Sequence, residues 1–264
     1  MPGTLVRKTG RVNGTEVSSA MMTFAFLHGG GQGSWVWEET IAAMAQQSGG
    51  KAQCLALDAP GCGVKRGVDT SDYGFEDTSR ELIADIERAG LAGVVLVGHS
   101  QAGMTMPHMA KLAPQLFRKL VYVTCSAPLH GLTTLDQMGH GPHGSNAEEV
   151  GYPGGGGAPL EERYRAMFCN DMSEDEADGF LARLGRDGWP ASAYTYCDWH
   201  YDHLRHIPSS YVVALRDQAL PAEWQMRFAD RLHARRISRI DAGHQVMNTR
   251  PQALAEILLL EAQG

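Results

Sequence analysis

Basic charge, long apolar runs and paired cysteine motifs are all scarce in this sequence. Its 23 Lys and Arg are outnumbered by 30 Asp and Glu, a formal net charge of -7, which argues against a nucleic-acid partner. No run approaches the roughly 20 apolar residues of a membrane-spanning helix. Residues 20–27 are apolar and follow basic residues, yet they are few and run straight into His28-Gly29-Gly30-Gly31 without a small-residue cleavage pattern. They read as a buried strand rather than a signal peptide. The five cysteines (Cys54, Cys62, Cys125, Cys169, Cys197) are odd in number and include no C-x-x-C pair, which points to free thiols in a reducing, cytoplasmic setting. A Gly-Lys-Ser/Thr phosphate loop and a G-x-G-x-x-G fingerprint are both missing, so no nucleotide cofactor is expected.

What is present is a regular alternation. Short, continuous runs rich in Val, Leu and Ile occupy 22–27, 52–57, 94–97, 120–124, 211–215 and 237–240, as expected of strands covered on both faces of a parallel sheet. Helix-compatible segments lie between them at 35–47, 75–89, 101–112, 221–233 and 251–261, two of them opening at proline, which suits a first helical turn. Strand alternating with helix this often predicts an α/β, doubly wound and mostly parallel sheet. At 264 residues the chain suits one large domain, or a core domain with an insertion. Residues 1–21 form a polar arm in which Asn13-Gly14 is compatible with a hairpin or with no fixed structure.

The alternation breaks between 130 and 207. This stretch carries Gly154 to Gly157 and two further helical pieces, 159–169 and 173–184, the second opening with the capping-box pair Ser173 and Glu176. It reads as a helical cap inserted between core strands, leaving 22–129 and 208–264 as the core. The glycine run is equally compatible with a solvated linker and with a mobile gate.

The chain is organised around Gly98-His99-Ser100-Gln101-Ala102-Gly103, a Gly-x-Ser-x-Gly pattern between an apolar strand and a helix. This is the form of a nucleophile elbow, which lifts a serine hydroxyl out of the end of a sheet. Such a serine needs a base, an orienting acid and donors for a developing oxyanion. His244, just beyond the last strand, is the candidate base, and Asp217, after the preceding strand, the candidate acid. Oxyanion donors are expected from the backbone N–H groups of Gln101 and Gly30, the latter in the loop His28-Gly29-Gly30-Gly31-Gln32-Gly33-Ser34-Trp35. His28 and His99 are expected to pack or hydrogen-bond beneath this site.

Taken together, His28-Gly29-Gly30 with Trp35, the motif around Ser100, Asp217 with Pro221, and Gly243-His244 resemble the α/β-hydrolase superfamily from about residue 22 onward. The run 207–213 leading into Asp217 is similar to the branch that holds plant methyl esterases, hydroxynitrile lyases and pyrethroid-type carboxylesterases. This resemblance implies an α/β-hydrolase fold and a serine carboxylesterase that acts without a cofactor on a small to medium apolar ester, as a monomer or homodimer. Lyases of the branch resemble one another in a threonine after the loop histidine and a lysine after the catalytic histidine. Gly29 and Gln245 stand there instead, which favours ester hydrolysis. A lyase or other cofactor-free transformation with His244 as general base is the first alternative. A triad-retaining small-molecule binding protein is the second.

Gly31, Trp35, Met104, Met138, Phe168 and Trp199 are the candidate substrate contacts, each also compatible with simple core packing. His200, His203 and His206, with Cys197, Asp198 and Asp202, have spacings that do not match a helical i, i+4 zinc pair, so no metal site is expected.

Overall fold

The computed structural model describes residues 21–263, so the hairpin expected at Asn13-Gly14 lies outside the described residues. Six strands form one sheet: β1 (Met22–Leu27), β2 (Ala52–Leu57), β3 (Val94–His99), β4 (Phe117–Val123), β5 (Ser209–Ala214) and β6 (Arg236–Ile240). Their order is β2-β1-β3-β4-β5-β6, and every neighbouring pair is parallel. The helices are α1 (Glu38–Gln47), α2 (Phe75–Arg88), α3 (Ala102–Leu112), α4 (Thr134–Met138), α5 (Leu160–Phe168), α6 (Glu174–Leu181), α7 (Ser192–Thr195), α8 (Ala222–Arg231), α9 (Val246–Thr249) and α10 (Pro251–Glu261). Among the described residues no helix is long and apolar enough to cross a membrane.

The continuous apolar strands follow from burial on both faces. Successive strand residues point to opposite sides. Val94, Leu96, Leu120, Tyr122, Tyr211 and Val213 pack under α2, α3 and α8. Val95, Val97, Val121, Val123, Val212 and Ala214 pack on the other face with Met44 of α1 and Leu254 and Leu258 of α10. The strand order reverses between β1 and β3, and ligands of open α/β sheets bind at the carboxyl ends flanking such a switch point. Leu27 lies in register with Gly98, so the loops that follow these two strands start side by side.

Local details refine the sequence reading. The helix expected from 35 begins as a tighter 3₁₀ turn, Ser34–Trp37, before α1. Between β4 and β5 the chain leaves the sheet and winds α4 to α7. Ser173 and Glu176 cap α6 reciprocally, the Glu176 N–H donating to Ser173 Oγ and the Ser173 N–H to Glu176 Oε2. The short helix α4 went unread in the sequence, although Thr133 and Asp136 form the same kind of box at its start.

The elbow's glycines are dictated by contact. A Cβ on Gly103 would stand 2.4 Å from the Ser126 carbonyl oxygen and 2.6 Å from Cys125 Cβ. A Cβ on Gly98 would meet Ala102 Cβ at 2.8 Å. The Ser126 backbone cannot retreat, because its N–H donates to the Ser100 carbonyl at 3.1 Å. Gly103→Ala is therefore expected to destabilise the fold by about 3 kcal/mol through overpacking, read as a lower urea midpoint with an unchanged slope. A midpoint equal to wild type would refute this account of the turn.

Candidate active site

Ser100 sits between the end of β3 and the start of α3 with φ at +53°, a left-handed conformation uncommon for a side chain bearing Cβ. Three backbone hydrogen bonds hold it there. Its N–H donates to the Val123 carbonyl, and its own carbonyl accepts from Gly103 and Ser126. The strained turn points the hydroxyl at His244, and Ser100 Oγ–H donates to His244 Nε2 at 3.0 Å.

On the far side of the imidazole, Nδ1–H donates to Asp217 Oδ2 at 2.7 Å, both residues being buried. Asp217 is held from every side. Its Oδ1 accepts the N–H groups of Ala219 at 2.7 Å and Leu220 at 2.8 Å, and the Gln225 amide reaches Oδ2 at 3.4 Å. Proline at 221 starts α8 after this turn, and Gln225, one turn into the helix, also brackets Ala214 through both its N–H and its carbonyl. The carboxylate thus has a fixed orientation toward the ring. A hydroxyl, a neutral imidazole and a carboxylate in line can move one proton from the hydroxyl to Nε2 while the acid keeps the tautomer.

Two backbone N–H groups beside Ser100, those of Gly30 and Gln101, carry no hydrogen bond to the protein among the described residues, and both residues line the cavity that contains Ser100 and His244. Paired free N–H groups beside a nucleophile are suited to an oxygen that gains negative charge.

Two further histidines at strand ends, His99 and His28, are fully buried. His99 Nε2–H donates to the His244 carbonyl at 3.0 Å, and the two rings lie 4.6 Å apart. Burial, with the nearby His244 adding to it, pushes the His99 imidazole well below its ordinary value. His28 donates from Nδ1 to the Gly29 carbonyl and accepts the Ala59 N–H at Nε2, and burial lowers it too. Both rings are neutral spacers under the site.

The cavity encloses about 380 Å³. Met138, Met167, Phe168, Leu184 and Leu220 make its apolar wall, and Tyr164, Tyr194, Ser126 and Thr134 supply scattered hydroxyls.

Residues 24–257 match the profile described as "Alpha/beta hydrolase family". The chain belongs to that family.

Among relatives of this chain, the putative chloroplastic methylesterase 11 of Arabidopsis thaliana is 25% identical over 89% of the chain, which spans 63% of that protein. The polyneuridine aldehyde esterase of Rauvolfia serpentina is 25% identical over 89% of the chain and 94% of that protein. A solved extracellular α/β-hydrolase from a Paenibacillus species superposes with a TM-score of 0.72 at 20% identity, covering 90% of this chain and 98% of that one. The fold is thus the α/β-hydrolase fold, and both of these relatives carry esterase names.

Three of the six candidate substrate contacts do line the cavity: Gly31, Met138 and Phe168. The other three do not, and the reason is direction. Met104 lies one turn inside α3, where the helix turns it onto Phe75 and Trp199 in a separate buried cluster. Trp199 stacks edge-on against Phe75 and donates its indole N–H to the Leu132 carbonyl at 2.7 Å. Trp35 packs on Phe180 under the Arg183 guanidinium, 4.1 Å away, in a neighbouring cleft. Tyr164 and Leu220 escaped the sequence reading. The signal for Tyr164 was available, because 164, 167 and 168 share one face of α5. Asp217's partner Gln225 had no such signal.

The histidine-rich stretch also resolves differently from its spacing. His203 donates to the Pro107 carbonyl at 2.8 Å and stands apart from the others. Asp198 and His200 instead meet His130 from a distant loop, their ligand atoms lying within 4.8 Å of one another on the exposed surface.

Proposed function

We propose that this protein is a serine carboxylesterase that cleaves a small to medium apolar ester through an acyl-enzyme. The observation that carries the reading is the hydrogen-bonded line Ser100–His244–Asp217, at 3.0 and 2.7 Å, beside two unused N–H groups in one cavity. His244 Nε2 takes the Ser100 proton as Oγ attacks the ester carbon, and the carbonyl oxygen gathers charge between the Gly30 and Gln101 N–H groups. As the C–O bond to the alcohol breaks, His244 returns the proton to the leaving oxygen. A water molecule then enters, gives its proton to His244 and attacks the acyl carbon, and Ser100 leaves as the free hydroxyl. Asp217 keeps the proton on Nδ1 throughout and stabilises the imidazolium.

An apolar substrate follows from the methionine, phenylalanine and leucine wall. Esterase names among the relatives support the ester bond. The lyase alternative loses ground because Gln245, at the position of the lyase lysine, is fully buried and lies outside the cavity lining. Residues 130–207, which supply much of the wall, act in this reading as a cap. A reducing cellular setting is consistent with all five cysteines being free.

A fluorophosphonate probe tests the mechanism. Labelling is expected on the Ser100 peptide by mass spectrometry, competed by a short-chain aryl ester. Label on another residue, or none, would sink the proposal.

A further inference from the structure

Both peptide carbonyls that flank the Gly30–Gly31 turn are held by residues 185–189, which belong to the segment between β4 and β5. Trp189 Nε1–H donates to the Gly29 carbonyl at 3.0 Å. The Gly185 N–H donates to the Gly31 carbonyl at 2.9 Å. The geometry points to a clamp: Trp189 is a positioning residue that aims the Gly30 N–H into the cavity, and Gly185 steadies the next peptide. For its kinetic consequence this rests on the esterase reading above, and for its geometry it does not.

The Gly29 carbonyl and the Gly30 N–H belong to one planar trans peptide and point in opposite directions. Fixing the oxygen therefore fixes the hydrogen. Both lone pairs of that oxygen are used, one by Trp189 and the other by His28 Nδ1–H at 2.8 Å. His28 is committed to this tautomer because its Nε2 accepts the Ala59 N–H. The fixings matter because consecutive glycines have almost no conformational preference of their own.

The clamp is itself tied to the core. The Gly188 N–H donates to the Gly61 carbonyl at 3.2 Å. The buried Asp187 carboxylate accepts the Gly63 N–H at 2.9 Å and the Arg66 guanidinium at 2.8 Å. Trp35 donates to the same carboxylate at 3.4 Å, which gives that residue a place in the clamp rather than in the substrate cavity. Trp189 is almost fully buried and meets the His28 ring edge-on at 5.4 Å. An oxyanion donor of the core is thus aimed by the segment that covers it, so alignment depends on that segment being docked.

Trp189→Phe removes the indole N–H and keeps an aromatic ring against His28. Full loss of an oxyanion donor costs 10²–10³ in kcat, and misaiming one of two is expected to cost about tenfold, with KM little changed. The Ki of a trifluoromethyl ketone should rise in step with the fall in kcat/KM, and hydrogen exchange at the Gly185 amide, which the Gly31 carbonyl protects, should quicken. Unchanged kcat with unchanged exchange, or a rise in KM alone, would overturn the clamp. Arg66→Met, at a half-exposed side chain that is not itself part of the cavity lining, is expected to move both readouts in the same direction, and it serves if Trp189→Phe does not fold. Should wild-type protein hydrolyse no ester through Ser100, the esterase reading fails, and Gly185 exchange in the two variants still decides the clamp.

Discussion

Ser100→Ala is expected to lower kcat on an apolar ester about a million-fold while leaving KM within about threefold of wild type. Removing Oγ removes the attacking atom and nothing else of weight, because the turn is held by backbone bonds to Val123, Gly103 and Ser126. The cavity walls stay in place, so ground-state binding persists. Residual turnover is expected from the two N–H donors acting on a bound water molecule, since such sites retain about 10³–10⁴-fold catalysis over water without their nucleophile. Steady-state kinetics on a chromogenic ester checks this, with circular dichroism to establish that the variant is folded. Turnover within tenfold of wild type would mean that His244 drives water attack directly or that another nucleophile operates.

Asp217→Asn is the second large effect, expected at about 10⁴-fold in kcat with the fold intact. The backbone N–H groups of Ala219 and Leu220 demand an acceptor at Oδ1, so the asparagine must place its oxygen there and its NH₂ at the position of Oδ2. That NH₂ then faces His244 Nδ1, which can only accept from it. The ring is driven to the tautomer with its proton on Nε2, and it can no longer take a proton from Ser100. The loss should therefore fall on kcat rather than on KM, and reaction of Ser100 with a fluorophosphonate should slow in parallel. Wild-type labelling rates in Asp217→Asn would show that the imidazole keeps its tautomer without the carboxylate.

The sheet was legible because its four inner strands are largely buried and read as apolar runs, the edge strands β2 and β6 being partly exposed, and because proline lies at two helix starts. Ser100 was legible from glycines whose absent Cβ atoms would strike Ala102 and Ser126. His244 and Asp217 were legible from their positions after consecutive strands, and the structure brings both within hydrogen-bonding distance of the predicted partners. The candidate contacts divided evenly. Gly31, Met138 and Phe168 reach the cavity, whereas Trp35, Met104 and Trp199 are large apolar residues that found core neighbours instead. Composition marks such residues as burial-seeking, and it carries no information about which side of a helix meets the substrate. His130 shows the same limit, meeting Asp198 and His200 from a loop far away in the chain.

By itself the sequence determined the α/β architecture, the elbow at Ser100 and the chain order of the acid and the base. Each of these depends on local periodicity or on a residue's place relative to the nearest strand. Only the tertiary structure decided which side chains wall the cavity, that Gln225 and two backbone N–H groups hold Asp217, and that Trp189 reaches the Gly29 carbonyl. The Asp217 contacts arise within the turn from β5 into α8, whereas the Trp189 bond and most of the cavity wall come into being only when the excursion between β4 and β5 folds back across the switch point of the sheet.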